Sequence, residues 1–386
     1  MTALSFRPDV CVIAFVPDDW NGVCGVRHQV LPRLSRYFNV LWVSPNPGWR
    51  EAWTTGEKSP QAGAAGDHDG HFSVFSHSRW TPRLYRPRFA ADFLHGRMLD
   101  RVAARARATG CQRIVLYVWR PQYGDVLDRI EHDLSVYHID DEYSFSETEV
   151  PLSQEESGLM KRVDQVFIHS TGLMEKKGHI NRQTRYIPNG VDYRAYATAE
   201  PEPADLAGIS GPRIAYVGVI KKQLDLETMR DVALSRTDWS FILVGPVGNV
   251  EGKAHFLEDM ERSDNVCLLG AKTLAQLPAY VQHVDVCTMC YESNAYTQYI
   301  YPLKLHEYLA AGKPVVSTPI KTVREFAAVV DFADTADEWR TAIERNLRGE
   351  ANTVQRREAR QTIARRHDWN RSVERIATTI SERLDR

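Results

Sequence analysis

Residues 301–318 read Tyr-Pro-Leu-Lys-Leu-His-Glu-Tyr-Leu-Ala-Ala-Gly-Lys-Pro-Val-Val-Ser-Thr, the pattern of a short helix, a glycine stop and a buried strand. Pro302 suits the first helical position, because its φ is already helical and its missing N–H would have no partner there. Gly312 suits the residue just past the helix end, where a left-handed backbone is needed. Tyr301 is then the capping residue, and it lacks the short acceptor side chain that ordinarily satisfies the amides of the first turn. Those amides are left for a ligand. A helix start carries about half a positive charge and Lys304 adds a full one, so phosphate is attracted to this end. Leu303 and Glu307, four residues apart, share a face, and a carboxylate one turn beyond a phosphate site suits ribose hydroxyls. An ordinary amphipathic helix carrying a lysine has the same spacing, and spacing alone does not separate the two readings.

The run from Pro302 to Val316 resembles the nucleotide-sugar site of GT-B glycosyltransferases, and it is most similar to the bacterial branch that builds surface polysaccharides of the teichuronic-acid type. The resemblance extends through Tyr216-Val217-Gly218, Leu224-Asp225-Leu226-Glu227, Trp239 to Val247, and Leu268-Leu269-Gly270. Upstream, Tyr137-His138 with Asp141-Glu142-Tyr143, and Ile187-Pro188-Asn189-Gly190-Val191-Asp192, also fit. It implies an α/β chain of the GT-B class, two Rossmann-like lobes with parallel sheets facing an interdomain cleft. It implies donor binding by Gly218, Lys222, Pro246, Val247, Leu269, Gly270, Leu303, Lys304 and Glu307. Two positions depart from the family pattern. Gln223 stands where a basic residue is frequent, with Lys222 as the substitute, and Tyr299 stands where many members carry a first glutamate eight residues before Glu307.

At 386 residues the chain exceeds the size at which one core usually keeps growing, so two domains are expected. Alternating strand and helix patterns in both halves indicate parallel sheets. The expected organisation is an acceptor-side domain over residues 1–197, a proline-bearing linker over 198–212, a nucleotide-sugar domain over 213–365, and a helix over 366–386 that crosses back. A formal charge of −2 with both signs mixed argues against a nucleic-acid-coating protein. Of the six cysteines, Cys287 and Cys290 alone have metal-ligand spacing; no second pair completes a zinc site, and the two end an apolar run as small buried side chains. The N-terminal stretch is too short and interrupted for a signal peptide or a span, which predicts a cytoplasmic protein, soluble or peripheral on the inner membrane face.

Residues 10–16 form a continuous apolar run, and the turn cluster after it carries Asp19, Trp20 and Gly22, followed by a helix with Arg27 and His28 near its start. Loops at the carboxyl ends of such strands bind ligands, so Asp19, Trp20, Gly22 and Arg27 are acceptor-side candidates. A solvated turn is the plain alternative. Asp67-His68-Asp69 imitates an Asp-x-Asp metal motif but lacks a flanking strand, and reads as a solvated loop with no metal. Residues 79–89 interleave four arginines with three aromatics, which suits a lipid interface or a phosphate-bearing acceptor, and equally a solvated loop.

These features point to transfer of a sugar from a nucleotide diphosphate donor, UDP-linked by resemblance, to a hydroxyl of a glycan or lipid-linked saccharide. No cofactor or metal is expected. Asp141 and Glu142, at a strand end among like charges, are the candidate acid–base residues, with His28 in reserve and Asp140 weaker because it matches a variable family position. Capping of the next turn or pairing with an arginine is their structural alternative. A nucleotide-sugar epimerase on the same scaffold, or a non-catalytic nucleotide or glycan binder, are the competing functions; donor consumption without acceptor would favour the former.

Overall fold

The apolar runs become the central strands of two parallel sheets, buried on both faces as crossover connections require. The computed structural model describes residues 4–22, 24–48, 70–77, 80, 82–142 and 152–386, so the Asp67–Asp69 tract, Arg79 and Tyr143 lie outside it. In the first sheet the strands are β1 (Arg7–Phe15), β2 (Phe38–Val43), β3 (Phe72–Val74), β4 (Arg113–Val118), β5 (Leu134–Ile139), β6 (Gln165–Ile168) and β7 (Thr184–Tyr186). Helix α1 (Val26–Leu34) joins β1 to β2, α2 (Arg88–Arg107) precedes β4, and α3 (Gln154–Arg162) precedes β6. Their order is β3-β2-β1-β4-β5-β6-β7. Because the order reverses between β1 and β4, the loops at their carboxyl ends flank a switch point, the usual ligand crevice of such sheets.

The second sheet contains β8 (Arg213–Val217), β9 (Ser240–Val244), β10 (Val266–Gly270), β11 (Val286–Met289), β12 (Val315–Ser317) and β13 (Asp331–Phe332), in the order β10-β9-β8-β11-β12-β13. Here the reversal falls between β8 and β11, and α4 (Leu303–Ala310) lies between β11 and β12 in the chain. Cys287 and Cys290 are buried thiols in and just after β11. Gly312 stops α4 with φ of 73°.

The chain forms two compact units, residues 1–169, 173–187 and 372–386 in one and residues 170–172 and 188–371 in the other. The proline-bearing stretch 198–212 is anchored to the second unit: Leu206 is buried in its core, and Asp205 meets both Lys272 and Tyr280 at 2.7 Å. Residues 372–386, which hold the greater part of helix α5 (Trp369–Leu384), belong to the first unit, where Arg185 donates to Thr379 at 2.7 Å and Arg375 donates to the Tyr186 carbonyl at 2.8 Å. Among the described residues no helix is long and apolar enough to cross a membrane.

The first unit also buries a cluster of opposite charges. Lys177 is fully buried and donates to Glu142 at 3.1 Å and to both oxygens of Glu156 at 2.9 and 3.0 Å, while Lys176 lies 3.1 Å from the other oxygen of Glu142. Tyr137 donates to Glu156 at 3.1 Å. Removing the central cation strands buried carboxylates, a change that costs about 3–5 kcal/mol, whereas an exposed pair such as Arg162 with Asp128 contributes about 1 kcal/mol or less. Lys177→Met is therefore expected to lower stability by about 3–5 kcal/mol in urea unfolding, with partial recovery on adding Glu156→Gln. A loss no larger than that of Asp128→Asn would contradict this assignment.

Candidate active site

The donor-side candidates converge at the carboxyl ends of β8, β9 and β10. Gly218, Gly245 and Gly270 follow or end these three adjacent strands, and the Gly218 amide donates to the Val244 carbonyl at 2.8 Å while the Gly245 amide donates to the Gly270 carbonyl at 2.9 Å. Gly218 and Gly245 have φ of 147° and 146°, which side chains of L-residues rarely adopt. Room for a side chain is lacking as well. A Cβ on Gly245 would meet the Gly218 carbonyl oxygen at 2.1 Å, and one on Gly218 would meet Lys304 Cε at 2.9 Å.

Lys304 thus packs directly against Gly218. Its Nζ donates to the Tyr291 hydroxyl at 3.0 Å and stands 4.9 Å from the Tyr216 ring centre, within cation–π range. Burial opposes its charge, while the Tyr216 ring face, the Tyr291 hydroxyl and Glu307 favour it, and its pKa lies above the ordinary lysine value. Burial pushes the Tyr216 phenol up to about 12, which keeps it neutral. Helix α4 begins one residue later than its sequence suggests: Pro302 takes the capping position with ψ of 123°, and no side-chain cap hydrogen bond forms there. Glu307 lies one turn further along; burial raises its pKa, against the opposing effects of Lys304 and of a hydrogen bond with Tyr196. Leu305, Tyr308 and Leu309 turn into the core, and the Tyr308 hydroxyl accepts from the Val217 amide at 2.9 Å.

The loops after β8 and β9 are joined by the Ile220 amide donating to the Pro246 carbonyl at 3.0 Å and the Gly248 amide donating to the Ile220 carbonyl at 2.8 Å. Val247 is left half exposed and Leu269 partly buried. Lys222 is turned outward, 2.6 Å from Glu251, so its charge is already partnered. Lys253, which carries no motif in the sequence, donates to the Lys222 and Leu224 carbonyls at 3.0 Å each and also bonds Glu292, pinning this loop.

In the first unit the candidates gather at the carboxyl ends of β1, β4 and β5. Arg27 bonds both Asp18 and Asp140 and lies 5.5 Å from the Trp119 ring centre. Arg120 donates to the other oxygen of Asp140 at 2.9 Å. Asp140 is thereby bound by two guanidinium groups. Glu142 belongs to the buried lysine cluster. Between them in sequence, Asp141 has its pKa raised by burial and next by the charge of Asp140, and one of its oxygens accepts from the Glu142 amide at 2.8 Å. The buried His169 beside it has Nδ1 3.0 Å from the Ile139 carbonyl, and burial lowers its pKa.

His28 is built into the local scaffold. The Gly25 amide donates to its Nδ1 at 3.3 Å, so Nε2 carries the hydrogen and donates to the Trp20 carbonyl at 3.2 Å; burial lowers its pKa. Trp20 packs among His28, Trp42 and Phe72. Asp19 and Gly22 form an exposed tight turn in which the Gly22 amide donates to the Asp19 carbonyl at 2.9 Å. Arg120 and Tyr291 touch these candidates without being among the sequence candidates, although each follows an apolar strand run as Asp141 does.

Comparison with known proteins finds partial sequence matches and full-length fold matches. Residues 211–348 match the family Glycosyl transferases group 1. TuaH of Bacillus subtilis (strain 168), named for teichuronic acid biosynthesis as a glycosyltransferase, is 31% identical over 222 residues, which is 55% of this chain and 55% of that protein. The aligned part thus spans about half the length of that relative. Among solved structures, a glycosyltransferase from Rickettsia africae superposes with a TM-score of 0.69 at 10% identity, covering 97% of this chain and 98% of the other. The trehalose-6-phosphate protein of E. coli bound with UDP-2-fluoro glucose gives 0.66 at 12% identity, over 97% and 99%. These structural matches carry the fold, two parallel sheets of the GT-B class, and within the second sheet's unit residues 211–348 are similar to the group 1 glycosyl transferases.

Proposed function

We propose that the chain transfers a sugar from a UDP-linked donor to a hydroxyl of a glycan or lipid-linked saccharide in surface-polysaccharide synthesis. The observation that carries this reading is Lys304, a retained ammonium packed on Gly218 beside the uncapped start of α4. A departing diphosphate develops negative charge, and a preorganised cation with helix-start amides meets that charge without reorganisation; each well-placed donor contributes about 2.7–4 kcal/mol to such a step. Glu307 one turn away accepts from ribose hydroxyls. The UDP ligand of the E. coli protein supports uridine as the base, and the name of the B. subtilis relative supports the polysaccharide role. In the first unit Asp141 is the carboxylate whose raised pKa suits proton exchange with an acceptor hydroxyl.

Lys304→Ala is expected to weaken UDP binding by about 10- to 150-fold in calorimetry, the scale of a hydrogen bond to a charged group, while uridine binding changes little. Equal losses for UDP and uridine in the folded variant would reject the phosphate role. Asp141→Asn is expected to lower turnover by about two to four orders of magnitude with UDP affinity nearly unchanged. Because its pKa is raised, the acid limb of the wild-type pH profile should lie above the ordinary carboxylate value of about 3.9 and disappear in Asp141→Asn. Near-normal turnover in that variant would remove Asp141 from the mechanism.

A further inference from the structure

A second feature of the first unit lies outside the donor and acid–base groups. A cavity of about 470 Å³ opens at the carboxyl ends of β1 and β2, lined among others by Phe15, Arg83, Ala91, His95, Met98 and Tyr123. Its wall includes His95, whose Nε2 is 2.7 Å from Asp125. The lining is part apolar and part hydrogen-bonding, which suits a molecule with both characters.

The segment that forms one wall of this cavity has an opposite face of different chemistry. Along α2, Ala91, His95 and Met98 recur at helical spacing and face the cavity, while Phe89, Phe93 and Arg97 recur every fourth residue on the other side. Phe89 and Phe93 are 78% and 66% exposed, and Trp80 and Tyr85 are each 69% exposed. Among the described residues seven large apolar side chains are exposed, and these four fall within fourteen consecutive positions, so the patch is not the usual scatter of single surface apolar groups. Arg83, Arg86, Arg88 and Arg97 are exposed in the same segment against the single acid Asp92, in a chain whose formal charge is −2. Aromatic rings settle at headgroup depth and arginines meet lipid phosphates, so this combination complements an anionic bilayer rather than a neutral apolar partner.

We propose that residues 80–97 dock on an anionic lipid surface, so that the acceptor cavity is built on the membrane-bound element and the acceptor is a saccharide carried on a lipid. The acceptor assignment rests on the transferase reading; the docking does not. Binding combines insertion of Trp80, Tyr85, Phe89 and Phe93 with attraction of the arginines, each arginine near the surface strengthening it by roughly fivefold at low salt.

The test is sedimentation of the full chain with phosphatidylglycerol-containing vesicles, compared with pure phosphatidylcholine vesicles, at low and high salt. The expected result is retention on the anionic vesicles that weakens with salt, a loss of at least about 20-fold in Arg86→Gln with Arg88→Gln, and a comparable loss in Phe89→Ser with Phe93→Ser. UDP binding by both double variants should match wild type, which also shows that they are folded. Failure of wild type to bind the anionic vesicles, or undiminished binding by either double variant, would overturn the docking. Concentration-dependent dimerisation abolished by Phe89→Ser with Phe93→Ser, without vesicle binding, would overturn it in favour of a second copy of the chain. Vesicle binding without UDP binding would leave the docking standing and remove the transferase reading.

Discussion

The candidate donor side depends on the missing side chain at Gly218. Strand ends β8 and β9 approach so closely that a methyl group on Gly245 would overlap the Gly218 carbonyl, and a methyl group on Gly218 would press into the stem of Lys304. Two backbone turns and one cation are therefore fixed by mutual exclusion rather than by a flexible network. The Tyr216 ring and the Tyr291 hydroxyl then hold the ammonium where the switch point of the sheet and the start of α4 meet. Preorganisation of this kind is what makes a fixed charge effective toward a developing diphosphate.

The first unit distributes its charges differently. Of the three consecutive carboxylates after β5, Asp140 is bound by Arg27 and Arg120, and Glu142 is absorbed by Lys176 and Lys177. Each is tied to a buried cation that would be costly to leave alone. Asp141, between them, has its pKa raised by burial and by the charge of Asp140.

Much of this architecture was legible because parallel strands buried on both faces leave continuous apolar runs, as residues 10–16 and 241–244 do. The helix before Gly312 was equally legible, off by one residue at its start because Pro302 serves as the cap rather than the first helical residue. Side-chain pairing was not legible. Nothing in the local sequence around Glu142 announces Lys177, which lies 35 residues on, and Arg27 reaches Asp140 across 113 residues. Lys222 read as a substitute for a basic residue at 223, yet it meets Glu251 from the neighbouring loop. His28 read as a reserve base, yet its ring nitrogens serve the Gly25 amide and the Trp20 carbonyl. These contacts come from proximity in the fold, which residue type alone does not announce.

The central claim is that the site around Gly218 and Lys304 recognises a nucleoside diphosphate through its phosphates. Titration calorimetry of the native chain with uridine, UMP and UDP in one buffer tests it most directly. Affinity is expected to rise with each added phosphate, UDP tightest, and to weaken with salt for UDP more than for uridine. Equal affinity for the three ligands, or no binding of UDP, would contradict it.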